Sequence, residues 1–342
     1  MKFFLDETCQ VVFPGAVIYG VFCIEDGIDS SCEPVIKASG FTRIWKPGTN
    51  SEIEEYSIFF EDKVVLSLDA DLTDLSLDDE TRGYPNKFKF HLVLPNNLPP
   101  SHEVPFGHTR YKLETYYNDQ TIFKYFSVNQ WVGLLKQNNS VVKHKTFAVP
   151  LFNVCQSIDV LLNLDQTHYL PGETVFVAAI ITNSSWKDVI FSKIYIIQTT
   201  KYWKSYYSVP MKHTRVIAEG TRGHLSRGCS QIWENEPLYI PAVIPTTNTS
   251  NNPFNFFEIK YKLKLQIVLK NSKKKIVLKQ KLFIGNWNKS KNTNINNSKK
   301  YINNVVLNND LPYEITADEC SLIKQENSEF IPKYIMYETS QI

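Results

Sequence analysis

The sequence lacks the loops that most enzymes announce. It contains no G-x-x-x-x-G-K-[ST] phosphate cradle, no G-x-S-x-G nucleophile elbow and no H-E-x-x-H zinc pair. It also lacks an excess of either charge, with 37 Lys and Arg against 35 Asp and Glu and a net charge of +2. No overall field draws such a chain to nucleic acid or to anionic lipid, so any such binding comes from a local patch. No apolar run approaches the roughly 18 residues that a membrane span needs. The opening MKFFLDETCQ meets Asp6 and Glu7 after one Lys and a few apolar residues, too early for a secretory leader. A cytoplasmic protein is expected. The six cysteines are dispersed, with no C-x-x-C pair, and are read as free thiols of a reducing compartment. Helical periodicity is scarce, and only Leu72 to Glu80 suggests a short turn of helix.

What is present is period two. From Phe257 to Leu269, the residues Phe257, Ile259, Tyr261, Leu263, Leu265, Ile267 and Leu269 alternate with a largely charged set that includes Lys260, Lys262 and Lys264. Successive strand side chains point to opposite faces, so this is a strand with one dry face and one wet face. Phe88, Phe90, Leu92 and Leu94 repeat the pattern. Val17 to Ile24, Thr174 to Ile181 and Val189 to Gln198 are rich in β-branched and aromatic residues. Turn chemistry separates these runs at Pro14-Gly15, Pro47-Gly48, Pro95-Asn96-Asn97 and Pro171-Gly172. Many strands, frequent turns and few helices predict an all-β protein built from sandwiches.

A length of 342 residues exceeds one sandwich of about 100 residues and suits two plus a tail. The composition predicts an N-terminal sandwich over 1–135, a linker over 136–142, a second sandwich over 143–287 and a flexible tail over 288–342. Within that tail, Asn288 to Lys300 (NKSKNTNINNSKK) has too little apolar surface to offset its ordering entropy.

Several stretches resemble one family in order and spacing. Phe13 to Gly20 (FPGAVIYG), Val35 to Trp45 (VIKASGFTRIW), Lys87 to Leu113 (KFKFHLVLPNNLPPSHEVPFGHTRYKL), Tyr169 to Ser185 (YLPGETVFVAAIITNSS) and Leu282 to Trp287 (LFIGNW) are similar to segments of the alpha-arrestins, the arrestin domain-containing proteins. The resemblance spans roughly residues 1–287. It implies two tandem arrestin-like, immunoglobulin-like β-sandwich domains. It further implies a non-catalytic adaptor in membrane-protein trafficking, without cofactors, that binds membrane-protein cargo. Such adaptors recruit a HECT-type ubiquitin ligase through WW domains, for endocytosis or sorting at the plasma membrane or endosomes. The alternative is a structural subunit of a retromer-like sorting or coat complex.

The family's ligase-docking Pro-Pro-x-Tyr motif is absent. The nearest string is Ile331-Pro332-Lys333-Tyr334, which resembles the Leu-Pro-x-Tyr variant and is the candidate protein-binding site. Lys270, Lys273, Lys274, Lys275, Lys279 and Lys281 form a candidate patch for peripheral contact with an anionic membrane. The spacing favours reading them as the wet lysines of a hairpin turning at Asn271-Ser272. Without a recognised motif beside it, the patch is not read as binding nucleic acid. Asp69 to Glu80 mimics a Ca²⁺ loop but places Asp74 where the sharp turn needs Gly, so it reads as a solvated acidic loop. Leu161 to Asp165 has the form of a clathrin box but reads as a strand. His102 and His108 flank a Pro/Gly turn with no further metal ligands at suitable spacing.

Overall fold

The computed structural model describes residues 1–6, 11–24, 34–45, 53–65, 81, 83–117, 120–134, 140–151, 154–203, 210–247, 257–273, 275–286, 305–307 and 330–337. The Asp69 to Glu80 loop and the Asn288 to Lys300 spacer lie outside these residues. Every regular element among the described residues is a β-strand.

The first half of the chain supplies β1 (Lys2–Leu5), β2 (Val11–Val12), β3 (Val17–Ile24), β4 (Val35–Trp45), β5 (Ile53–Val65), β6 (Asn86–Val93), β7 (His102–Val104), β8 (Gly107–Tyr117) and β9 (Gln120–Val128). They form a three-stranded sheet, β1-β3-β6, and a larger sheet, β2-β9-β8-β4-β5, with β7 paired to β8. Phe22, Phe88, Phe90 and Leu92 of the small sheet share one core with Ile36, Tyr111, Leu113 and Phe126 of the large one. Pro99 lies between β6 and β7, and its carbonyl accepts the Tyr111 hydroxyl at 2.5 Å. The buried phenol is therefore satisfied, as its burial demands.

The second half supplies β10 (Val141–Leu151), β11 (Val154–Leu164), β12 (His168–Tyr169), β13 (Thr174–Asn183), β14 (Val189–Tyr202), β15 (Met211–Arg222), β16 (Ser230–Tyr239), β17 (Phe257–Leu269) and β18 (Lys275–Ile284). Sheets of order β10-β11-β13-β16 and β12-β18-β17-β14-β15 enclose its core. The alternation read in β17 is what buries it: Ile259, Leu263, Leu265 and Ile267 are fully enclosed, while Lys260 is exposed. Leu161 to Leu164 lie inside β11, where Leu162 and Leu164 are core residues. The strand is paired to β10 and β13 on its two sides. Lastly, β19 (Val305–Leu307) and β20 (Ile335–Tyr337) pair only with each other.

Two contacts hold the halves together. The β7–β8 hairpin of the first sandwich carries Phe106 to the second, where its ring meets Tyr202 edge-on at 5.9 Å and His213 at 6.4 Å. Val104 and Phe106 are thereby counted within the second core. The connecting segment is clamped at the far end of β18. Val132 N–H donates to the Asn286 side-chain oxygen at 2.7 Å, the Asn286 amide donates to the Gln130 carbonyl at 2.7 Å, and Asn286 N–H donates to the Val132 carbonyl at 2.9 Å.

Both contacts depend on glycine. A Cβ on Gly107 would lie 2.8 Å from the Arg43 carbonyl oxygen, and one on Gly285 would lie 2.7 Å from that of Val132. The obstacles are backbone atoms, which cannot rotate away. Gly107→Ala and Gly285→Ala are each expected to lower stability by about 1–3 kcal/mol in denaturant titration. Gly223→Ala, where an added Cβ meets nothing within 4 Å, is expected to be neutral or slightly stabilising.

Candidate functional site: the interdomain groove and the lysine face

The four residues of the Ile331-Pro332-Lys333-Tyr334 string are not in solvent as a group. Composition predicts a flexible tail, but Phe330 to Tyr337 is packed between the two sandwiches. Ile331 remains exposed, whereas Pro332 and Tyr334 are buried, with Tyr334 at 5% exposure. The difference has a physical reason. This short stretch concentrates one proline, two tyrosines and four other large apolar residues, enough to offset ordering where a groove already exists.

Several polar groups of the segment find partners on other elements. Lys333 N–H donates to the Ser127 hydroxyl at 2.9 Å, and its carbonyl accepts from the Asn129 amide at 3.2 Å. The Tyr334 hydroxyl donates to the Ser101 carbonyl at 3.0 Å and lies 3.4 Å from His102 Nδ1. Tyr337 N–H donates to the Pro171 carbonyl at 3.0 Å, and its hydroxyl donates to the Asn286 carbonyl at 2.6 Å. Asn286 thus joins the linker, the second sandwich and the tail. The turn expected at Pro171-Gly172 has a second use, since Gly172 (φ +94°) leaves room for the Tyr337 backbone that a Cβ would fill.

Beneath the segment lies a buried ion pair. Arg110 grips Glu103 with two hydrogen bonds, Nε to Oε1 at 2.7 Å and Nη2 to Oε2 at 3.1 Å. The Arg110 guanidinium also faces the rings of Tyr125 at 5.3 Å and Phe330 at 5.9 Å. Burial pushes the Glu103 carboxyl up to about 7, against the pull of Arg110. His102 stacks on Tyr202 and Phe257 and approaches Thr200 Oγ1 at 3.3 Å. Burial, followed by Arg215 and His213, holds His102 well below the usual imidazole range. Burial, then Arg110 and Arg43, does the same to His108. The two histidines flagged by their Pro/Gly turn are therefore neutral packing groups. Among the described residues no three His, Cys, Asp or Glu side chains are placed to hold a metal ion.

The lysine patch divides. Lys270 and Lys273 are exposed at the β17–β18 turn, where Asn271 takes a left-handed φ of 50°. Lys275 is exposed at the start of β18, and Lys274 lies outside the described residues. Lys279 and Lys281 stand on the outer face of the sheet, directly across from Lys264 and Lys262. The sequence marks Lys262 and Lys264 as the wet face of one strand, but only the register of the sheet sets them opposite Lys281 and Lys279. Partial burial and then nearby ammonium groups, including Lys279 and Lys212, lower Lys262 and Lys264. Like charges directly opposite on a sheet are destabilising. On this face Glu258 pairs with Lys201 at 3.3 Å and with Lys260, and Glu219 pairs with Lys193 at 2.6 Å. No carboxylate among the described residues pairs with Lys212, Lys262, Lys264, Lys279 or Lys281.

Residues 156–289 match the family described as the arrestin (or S-antigen) C-terminal domain. The match covers both sheets of the second sandwich apart from β10, and the all-β architecture agrees with an arrestin-like β-sandwich fold. Among curated proteins no match is found.

The buried titratable groups fix a pH response. His102 and His108, depressed in the fold, contribute stability that is present above about pH 6.5 and is lost as pH falls below it. Glu103, raised to about 7, contributes in the opposite sense, most below its unfolded value and less as pH rises through 7. Near pH 6 two histidines outweigh one carboxyl, so stability falls as pH drops from 7 to 5.5. Urea midpoints across this range check it. His102→Gln, which removes one of the two histidines, is expected to make the profile nearly flat.

Proposed function

We propose that this chain is a non-catalytic arrestin-like adaptor in membrane-protein trafficking, and that its second sandwich lies against an anionic membrane surface through the lysine face. The match of residues 156–289 to the arrestin C-terminal domain supports the general adaptor role. The observation that carries the membrane reading is the set Lys212, Lys262, Lys264, Lys279 and Lys281, crowded on one sheet of that same sandwich. Ordinary salt bridges are absent from this set among the described residues, and crowding the ammoniums costs stability. A surface rich in anionic headgroups offsets both effects at once, at about 1 kcal/mol per lysine near the bilayer. No helix among the described residues is long and apolar enough to cross a membrane, and a peripheral contact needs none.

Cargo capture and recruitment of a HECT-type ubiquitin ligase complete the proposal. The ligase would read Ile331-Pro332-Lys333-Tyr334 through a WW domain, which grips a proline-bearing extended turn between aromatic rings. Because Pro332 and Tyr334 are buried in the groove, that reading belongs to a state in which the tail has left it.

Two measurements test the proposal. Cosedimentation with vesicles containing anionic lipid is expected for the full chain. Lys262→Ala with Lys281→Ala should weaken it roughly 30-fold, two lysines at about 1 kcal/mol each. Raised salt should weaken it too, while neutral vesicles should not bind. Equal binding to neutral and anionic vesicles would remove the membrane reading. Affinity purification of the full chain should recover membrane proteins and a ligase, the ligase declining with Tyr334→Ala. Recovery instead of one stable, stoichiometric complex would favour the structural subunit of a sorting coat.

A further inference from the structure

We propose that the groove between the two sandwiches is a peptide-binding site for extended segments bearing Tyr-x-x-Tyr, and that the chain's own Phe330 to Tyr337 is its resident ligand. Three observations carry this. First, neither sandwich needs the segment to complete a sheet: β20 pairs with β19 alone, and every ladder of the two sandwiches closes without it. The tail is held as a bound peptide is held, by side chains and turn carbonyls reaching from fixed elements.

Second, the contacts divide as they do in peptide recognition. Ser127 and Asn129 read both backbone groups of Lys333, and the Pro171 carbonyl reads the backbone N–H of Tyr337. These contacts are indifferent to side-chain identity and set the register of an extended chain. Sequence is read by the two tyrosine hydroxyls, Tyr334 on the Ser101 carbonyl and Tyr337 on the Asn286 carbonyl. A phenylalanine at either place would leave an acceptor unpaired, the kind of mismatch that discriminates sharply in a buried site.

Third, the groove is shaped to backbone. An added Cβ on Gly172 would lie 1.9 Å from the Tyr337 carbonyl oxygen, so the absence of a side chain there makes the seat. The walls come from both sandwiches, Ser101, Ser127 and Asn129 from the first, and Pro171, Gly172 and Asn286 from the second. The site therefore exists only while the two are held in this arrangement. The inference stands apart from whichever module reads the tail, because it concerns the groove rather than the reader.

The test uses the full chain and a fluorescein-labelled peptide with the sequence of Phe330 to Tyr337. In the wild type the tethered tail competes at an effective concentration on the order of mM. A full-length chain carrying Tyr334→Ala and Tyr337→Ala is expected to bind the peptide saturably, at least about tenfold more tightly than wild type. Adding Ser127→Ala and Asn129→Ala should weaken that binding about tenfold or more, and a peptide with phenylalanine for the first tyrosine should bind about fivefold more weakly. Absence of saturable binding to the tail variant, or binding indifferent to Ser127 and Asn129, would overturn the proposal. A second measurement avoids substitution altogether. In the wild type, the amides of Lys333 and Tyr337 should exchange slowly with deuterium, and excess unlabelled peptide should speed their exchange. Exchange at random-coil rates, or no response to the peptide, overturns the proposal equally.

Discussion

The arrangement of the whole molecule rests on one insertion, that of Phe106 at the tip of the β7–β8 hairpin into the wall of the second sandwich. The hairpin is stiff for reasons internal to the first sandwich. Trp45 donates its indole N–H to the Pro105 carbonyl at 3.0 Å, Gly107 lets β8 press against β4, and the Glu103–Arg110 pair ties its two strands across the base. Removing one member of such a buried pair leaves the other charged and uncompensated, which is far costlier than the pair is favourable. The ion pair therefore serves geometry more than stability. It fixes the direction in which Phe106 points, and with it the gap into which the tail fits.

Asn286 does at the opposite side of that gap what the hairpin does at the first. One buried amide holds the linker by two side-chain hydrogen bonds, and its backbone carbonyl receives Tyr337. Three parts of the chain remote in sequence are thus referred to one residue. With the hairpin on one side and this junction on the other, the groove has walls that cannot move independently of the interdomain contact.

The sheets were legible because burial on one face writes itself into sequence with period two. The run from Phe257 to Leu269 shows this most directly, and the strand from Thr174 to Asn183 follows the same logic. The groove was not legible. Its contacts come from Ser101, Ser127, Asn129, Pro171 and Asn286, ordinary residues at strand ends and turns whose only shared property is where folding brings them. The Gly-Asn within LFIGNW was visible as a motif, but its purpose depends on a linker that passes 2.7 Å from where a Cβ would stand. The string from Ile331 to Tyr334 was visible within the tail, but nothing in composition shows the groove that receives it. The lysine face was half legible: the cluster near the turn is contiguous in sequence, but its continuation across β17 needs the register of the sheet.

A segment that touches both sandwiches makes their relative orientation a thermodynamic variable. Suppose a bound partner prefers a different angle between the halves. It then weakens the tail's hold by some factor, and linkage requires that the tail weaken the partner's hold by the same factor. Neither needs to touch the other. The segment's affinity for its groove is in this sense a reading of interdomain geometry, and anything that shifts that geometry, a curved membrane included, is reported in how often the tail is free.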